Sequence, residues 1–265
     1  MSGVSRAIRD SLLVAGRNLR RVPRIPELAI FAIIQSIIFV LLFAFVFGGA
    51  IPLPGGGSYR EFLMPGIFVQ TVFFASVTTA IGMTDDSLKG LLDRFRSLPM
   101  ARSALLGGRA AADLVYNAGI LIVLMVSGLA VGWRVHTGLL ELFAGVGLLL
   151  MVTFAMSWIG VLIGLSVPSV EVANQVGFMF IFPLTFVSNI FVPPQTLPGW
   201  LQPVAEWNPV STLTAAVRDL WGNPNPYMSG GVPAEHPILI TIGWTIVLLA
   251  VFGPLGVRKF RSISR

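Results

Sequence analysis

Six stretches of this chain are each long and apolar enough to cross a lipid bilayer, and no other feature restricts its fold as strongly. An α-helix rises about 1.5 Å per residue and the hydrocarbon core is about 30 Å thick, so one crossing needs about 20 largely apolar residues. Leu28 to Gly48, Phe62 to Met83, Ala110 to Gly132, Leu139 to Leu165, Val172 to Val192 and Ile238 to Val257 meet that requirement. Inside lipid every backbone N–H and C=O must find a partner, which for open-ended segments leaves the helix. The expected fold is all-α, a polytopic membrane protein with six transmembrane helices in a single domain over residues 1–265. Only 11% of the residues are charged, where a soluble domain carries about 25%, and no stretch outside the six is large enough for an independent soluble domain.

Charge fixes the orientation. An even number of spans puts both termini on one side, and Lys and Arg accumulate on the cytoplasmic side. Six precede the first span, five lie between the second and third, and four follow the sixth, which makes fifteen of the eighteen. Arg60, Arg134 and Arg218 fall on the other side, so both termini are expected in the cytoplasm. The first apolar run is too long and starts too deep for a cleaved leader.

Three segments outside the spans have shapes of their own. In residues 1–27, Val4, Ile8, Leu12, Ala15, Leu19 and Val22 recur at helical spacing, with arginines on the remaining arc, and Pro23 and Pro26 follow. This pattern predicts an amphipathic helix lying on the inner leaflet, with an elbow before the first span. A plain topology signal of arginines is the alternative. Residues 84–109 form a cytoplasmic loop in which Leu88, Leu91, Leu92 and Phe95 share one helical face. Asp85 and Lys89 pair four apart, Arg94, Arg96 and Arg102 add charge, Pro99 stops this short helix, and a second begins at Ala101. A charged helix with one apolar edge between two membrane helices suits docking of a cytoplasmic partner, against the alternative of an ordinary solvated loop.

Residues 193–237 form an outer segment too apolar for a free loop. Asn208 followed by Pro209 is a helix start, and Val210, Leu213, Val217 and Leu220 continue it. The expectation is a re-entrant or interfacial pair of short helices, with Arg218 and Asp219 facing water. Trp200, Trp207 and Trp221 are expected in one cluster at interface depth, serving as an outer gate or as a structural anchor.

The chain carries little catalytic chemistry. Without cysteine it has no thiolate nucleophile, disulfide or Cys-based metal site. Its two histidines, His136 and His236, fall in no H-E-x-x-H motif, and no G-x-x-x-x-G-K-[ST] loop is present to bind ATP. The twelve acids are dispersed, against a membrane transferase or phosphatase, and no ionisable residue is expected at a bilayer centre to relay ions. Asp113 can pair with Arg109, while Glu171 lies near a cytoplasmic span end and Glu141 near an outer one. The spans hold neutral polar groups, among them Gln70, Thr71, Thr79, Asn117, Ser157 and Asn189, which either join helices or line a path. Gly128 with Gly132 and Gly160 with Gly164 have the spacing of close helix approach.

Six spans, an N-terminal in-plane helix, the run LLDRFRSLPMARSALLGGR and the outer run NPVSTLTAAVRDL resemble the type-2 ATP-binding cassette permeases, in particular the daunorubicin-resistance-type efflux permeases of bacteria. The resemblance covers nearly the whole chain, with RFRSLPMAR its most specific part. It implies a permease subunit, not itself an enzyme, of an exporter in the bacterial cell membrane. Two such permeases, identical or homologous, would work with two cytoplasmic ATPase subunits that carry the ATP and Mg; the chain itself would hold no cofactor and bind no nucleic acid. Coupling to the ATPase would fall to Leu88, Leu91, Leu92, Phe95, Arg94, Arg96 and Arg102. The translocation path would run past Gln70, Thr71 and Asn189, beside an apolar wall of phenylalanines that includes Phe68, Phe73, Phe178 and Phe182. The passenger would be hydrophobic or amphipathic, a drug-like molecule or lipid, with a lipid-linked polysaccharide or glycolipid as the alternative.

Overall fold

The computed structural model describes residues 58–91, 102–191, 194–225 and 231–262, together with isolated positions between 34 and 45. The expected in-plane helix of residues 1–27 and most of the first expected span lie outside the described residues. The described helices are α1 (Tyr59–Leu88), α2 (Arg102–Val131), α3 (Leu139–Gly164), α4 (Val170–Phe186), α5 (Gln202–Trp207), α6 (Pro209–Trp221), α7 (Val232–Glu235) and α8 (Pro237–Ser262). A 3-10 turn at Pro194–Thr196 precedes α5, and no strand occurs among the described residues. Among these residues four helices are long and apolar enough to cross a membrane: α1, α2 from Leu106, α3 and α8.

Two expected boundaries move. The start of the charged helix read from Asp85 is the end of α1, which runs unbroken from Tyr59 to Leu88. A turn with Gly90 at φ +64° then separates Leu88 from Leu91, which the sequence placed on one helical face. No proline or glycine interrupts it beyond Met83, and Lys89 closes on Asp85 at 2.6 Å across one turn. The fifth expected span, Val172 to Val192, is shorter than read: α4 ends at Phe186 after 17 residues. Beyond Pro183 the hydroxyls take helix carbonyls for themselves, Thr185 donating to Phe182 O and Ser188 to Thr185 O. Such local side-chain bonds compete with the next helical turn.

α1 stands at the centre, with Phe62, Leu63, Met64, Phe68, Val69 and Ala80 wholly buried. α3 lies against it along Gly160 and Gly164. A Cβ at Gly164 would come within 2.6 Å of Ala80 O, and one at Gly160 would run into Ser76 O. The spacing thus serves close approach of the two helices, and Thr84 Oγ1 donates across the crossing to Gly164 O at 3.1 Å. Gly128 on α2 likewise admits Met64 of α1, whereas Gly132, at φ +108°, faces no described atom within 4 Å and sits just beyond the end of α2. The outward faces of α2 and α8 stay apolar and exposed, with Ile122, Val126, Leu239 and Ile246 suited to lipid.

Replacing Gly164 by Leu forces this crossing apart and should cost about 1–3 kcal/mol, seen as a lower unfolding midpoint in detergent. Gly147→Leu, at a position of α3 with no described atom within 4 Å, is the matched control and should leave the midpoint unchanged.

Candidate functional site

At the end of the molecule expected on the outer side, the chain between α4 and α6 is held by side chains where helical bonds have stopped. Asn208 serves both helices: its Oδ1 caps α6 by accepting from Val210 N at 2.8 Å, and its Nδ2 donates to Leu184 O and Val187 O at the end of α4. Three residues on, Ser211 Oγ accepts from Asn189 N at 3.0 Å. Two turns further along α6, Arg218 donates from Nε to Phe62 O at 2.9 Å, from Nη1 to Asn189 O at 3.0 Å and from Nη2 to Ile190 O at 3.1 Å. Its guanidinium also lies 3.6 Å from the centre of the Phe62 ring. Tyr59 closes the set by donating its hydroxyl to Phe191 O.

Arg218 is therefore wholly buried, not facing water as expected; Asp219 beside it is the exposed one. Burial pulls the pKa of Arg218 down to about 9, against Tyr59 and Asp219, and leaves it charged at neutral pH. The planar fork explains the choice of residue, since three carbonyls from two segments need several donors in fixed directions. Gly66 completes the joint: a Cβ there would meet Ile190 Cγ2 at 2.8 Å, so the backbone of α1 comes directly against the stretch that follows α4.

A second outer joint ties the α2–α3 loop to the end of α6. Trp133 Nε1 donates to Asn223 Oδ1 and Asn223 Nδ2 to Arg134 O, both at 2.8 Å. His136 N donates to Trp221 O, and Thr137 Oγ1 to Leu220 O. Phe68, Trp133 and Trp221 form a triangle of edge contacts with centroids 5.1 to 5.8 Å apart. His136 reaches Glu61 of α1 at 2.9 Å.

The opposite end, expected on the cytoplasmic side, has a different joint. Arg109 on α2 meets Asp86 on α1 at 2.7 Å and Asp113, one turn along, at 3.2 Å. Thr79 Oγ1 donates to Asp113 at 2.8 Å, and the guanidinium packs against Gly82. The expected pairing of Asp113 with Arg109 is present, with Asp86 and Thr79 added from α1. This network binds together the two helices that flank residues 92–101.

The sequence-predicted residues divide accordingly. Leu92, Arg94, Phe95 and Arg96 lie outside the described residues; Leu88 is exposed at the end of α1, Leu91 half-buried beyond the turn that follows it, and Arg102 opens α2. Gln70 and Asn189 are buried and Thr71 half-buried, its hydroxyl donating back to Ile67 O. Phe68 and Phe73 are core, whereas Phe178 and Phe182 are about half exposed. The three tryptophans are not one cluster. Trp221 is sealed against Gly145 and Trp133, while Trp200 and Trp207 are 77% and 51% exposed around α5. Trp221 is the residue in which α6 ends, and α6 turns inward.

Comparison with known proteins settles the class. The family described as ABC-2 type transporter matches residues 11–220. The chain belongs to this family. As an ABC-2 permease it is 31% identical over 256 residues to the daunorubicin resistance ABC transporter permease protein DrrB1 of Streptomyces coeruleorubidus, covering 97% of this chain and 87% of that protein. The probable doxorubicin resistance ABC transporter permease protein DrrC of Mycobacterium tuberculosis is 25% identical, with 95% and 89% covered. The putative transport permease ycf38 of Cyanophora paradoxa is 24% identical, with 97% and 90% covered.

Sequence reasoning missed Arg218 as the centre of the permease's outer joint. A signal was there: Asn208, Ser211 and Arg218 fall at steps of three and seven, one helical face, and no acid stands three or four residues from Arg218. Replacing Arg218 by Met should leave the buried carbonyls of Asn189 and Ile190 unpaired at about 1–3 kcal/mol each, and folded permease should largely disappear from the membrane. Arg218→Lys keeps the charge but loses the fork and should recover only part of the yield, measured by size-exclusion chromatography.

Proposed function

We propose that this permease is the membrane-spanning part of an ATP-driven exporter that moves a hydrophobic or amphipathic compound, drug-like or lipid, out of a bacterial cell. The observation that carries the reading is the 31% identity over 97% of the chain to a daunorubicin resistance permease, supported by a second resistance permease aligned over 95%. Two copies, or this chain and a homologue, would form the pathway, and two separate ATPase subunits would bind ATP and Mg on the cytoplasmic side. Both termini face that side in this reading.

Force would enter through residues 84–109. The Asp86–Arg109–Asp113 network locks the inner ends of α1 and α2, so a push on Leu88, Leu91, Leu92 and Phe95 would be felt by both helices. Phe95→Asp should insert normally yet cut export roughly tenfold or more, because truncated apolar anchors at interfaces cost about 2 kcal/mol or more. Full export by a stably inserted Phe95→Asp variant sinks the coupling role.

The path would pass Gln70, Thr71 and Asn189, with an outer gate formed by Trp200 and Trp207. The backbone of Trp207 is tied to α8, its carbonyl accepting from Trp244 Nε1 at 3.1 Å. If the exposed ring gates release, Trp207→Ala changes efflux per folded molecule at constant yield. A lower yield with unchanged efflux per molecule identifies an anchor instead.

A further inference from the structure

The outer joint contains one group that it does not use. Asn189 has its backbone held at both ends, the N–H by Ser211 Oγ and the carbonyl by Arg218, while its side-chain amide does nothing. Asn189 is wholly buried, and neither Nδ2 nor Oδ1 has a hydrogen-bond partner. Among the described residues no other side chain has both its polar atoms in that state. Buried amides are almost always paired, and one left unpaired opposes the conformation that contains it. A leucine of similar size would suit this conformation better.

The location gives the amide a purpose. Asn189 sits on the non-helical stretch after α4, beside Ile190, whose contact with Gly66 is the point where α1 meets that stretch with no side chain of its own between them. The Gly66–Ile190 contact itself is van der Waals only. Of the four side chains that fix the stretch, Asn208 and Ser211 sit at α6 and can travel with it, while the bonds of Tyr59 to Phe191 O and of Arg218 to Phe62 O cross to α1 and are the two that break as the seam opens. We infer that Asn189 is a state-dependent positioning residue: its amide is sealed and unpaired in the present closed conformation and gains its partners, water or the polar part of the passenger, when the outer ends of α1 and α4 separate. The inference rests on the export reading above. The unpaired amide then raises the free energy of the closed state relative to the open one, so opening demands less from the ATPase.

Two substitutions in the intact transporter, in membranes of its native host, test this. Asn189→Leu should raise the unfolding midpoint of the nucleotide-free protein by a few degrees and lower efflux per folded molecule severalfold, a combination that a structural role does not produce. A lower midpoint, loss from the membrane or unchanged efflux overturns the inference. Asn189→Cys, free of background because the chain has no native cysteine, should resist N-ethylmaleimide in ATP-depleted vesicles and react when ATP is supplied. Equal labelling in the two conditions overturns it as well. Where the wild type exports and labelling of the Asn189→Cys variant never responds to ATP, the export reading stands and this inference falls; where the wild type exports nothing, both fall.

Discussion

A cation buried among carbonyl oxygens organises the outer half of this permease. Among the described residues no carboxylate hydrogen-bonds to Arg218; its charge is matched by three backbone dipoles and the face of Phe62. Such a cation is costly to bury, and the cost is offset only because the carbonyls of Asn189 and Ile190 are themselves in need. They lie past the end of α4, where no helical N–H can reach them. Cation and orphan carbonyls therefore stabilise each other, and neither arrangement is tolerable alone in a buried site. Asn208 repeats the solution one step earlier, capping the start of α6 and the end of α4 with one amide.

This joint permits a short α4 and an inward-turned α6. With α4 ending at Phe186, the backbone that follows crosses over Gly66 of α1, and α6 returns beneath it with every residue from Val210 to Arg218 buried. The aromatic triangle of Phe68, Trp133 and Trp221 then fills the space between α1, α6 and the loop after α2. The outer end is thus knit by rigid, directional contacts. The inner end is knit by charges, Arg109 bridging Asp86 and Asp113, and α1 runs between the two as a continuous helix. In the proposed exporter, a central helix clamped differently at its two ends would carry a displacement from one face of the membrane to the other.

The polar residues of the spans show how far chemistry alone can be read. Ser76, Thr153 and Ser157 bond back to carbonyls of their own helices, and join nothing. Thr79 and Thr84, of the same chemical kind and on the same helix as Ser76, cross to α2 and α3. Side-chain type does not separate these cases; only the position of the neighbouring helix does.

Hydropathy and charge spacing determined the class of fold, the pairing of Asp113 with Arg109, the Asn208–Pro209 start of α6 and the close approach at Gly160 and Gly164, because each depends on residues near in sequence or on a period of one helix. The end of α4, the burial of Arg218 and Trp221, and the exposure of Trp200 and Trp207 were decided by tertiary structure. Phe62 and Arg218 are 156 residues apart, and a carbonyl offers a buried guanidinium the same partner whatever side chain it belongs to. Backbone acceptors leave no mark in the amino-acid sequence, so a charge satisfied by them reads as a charge in water until the fold brings them together.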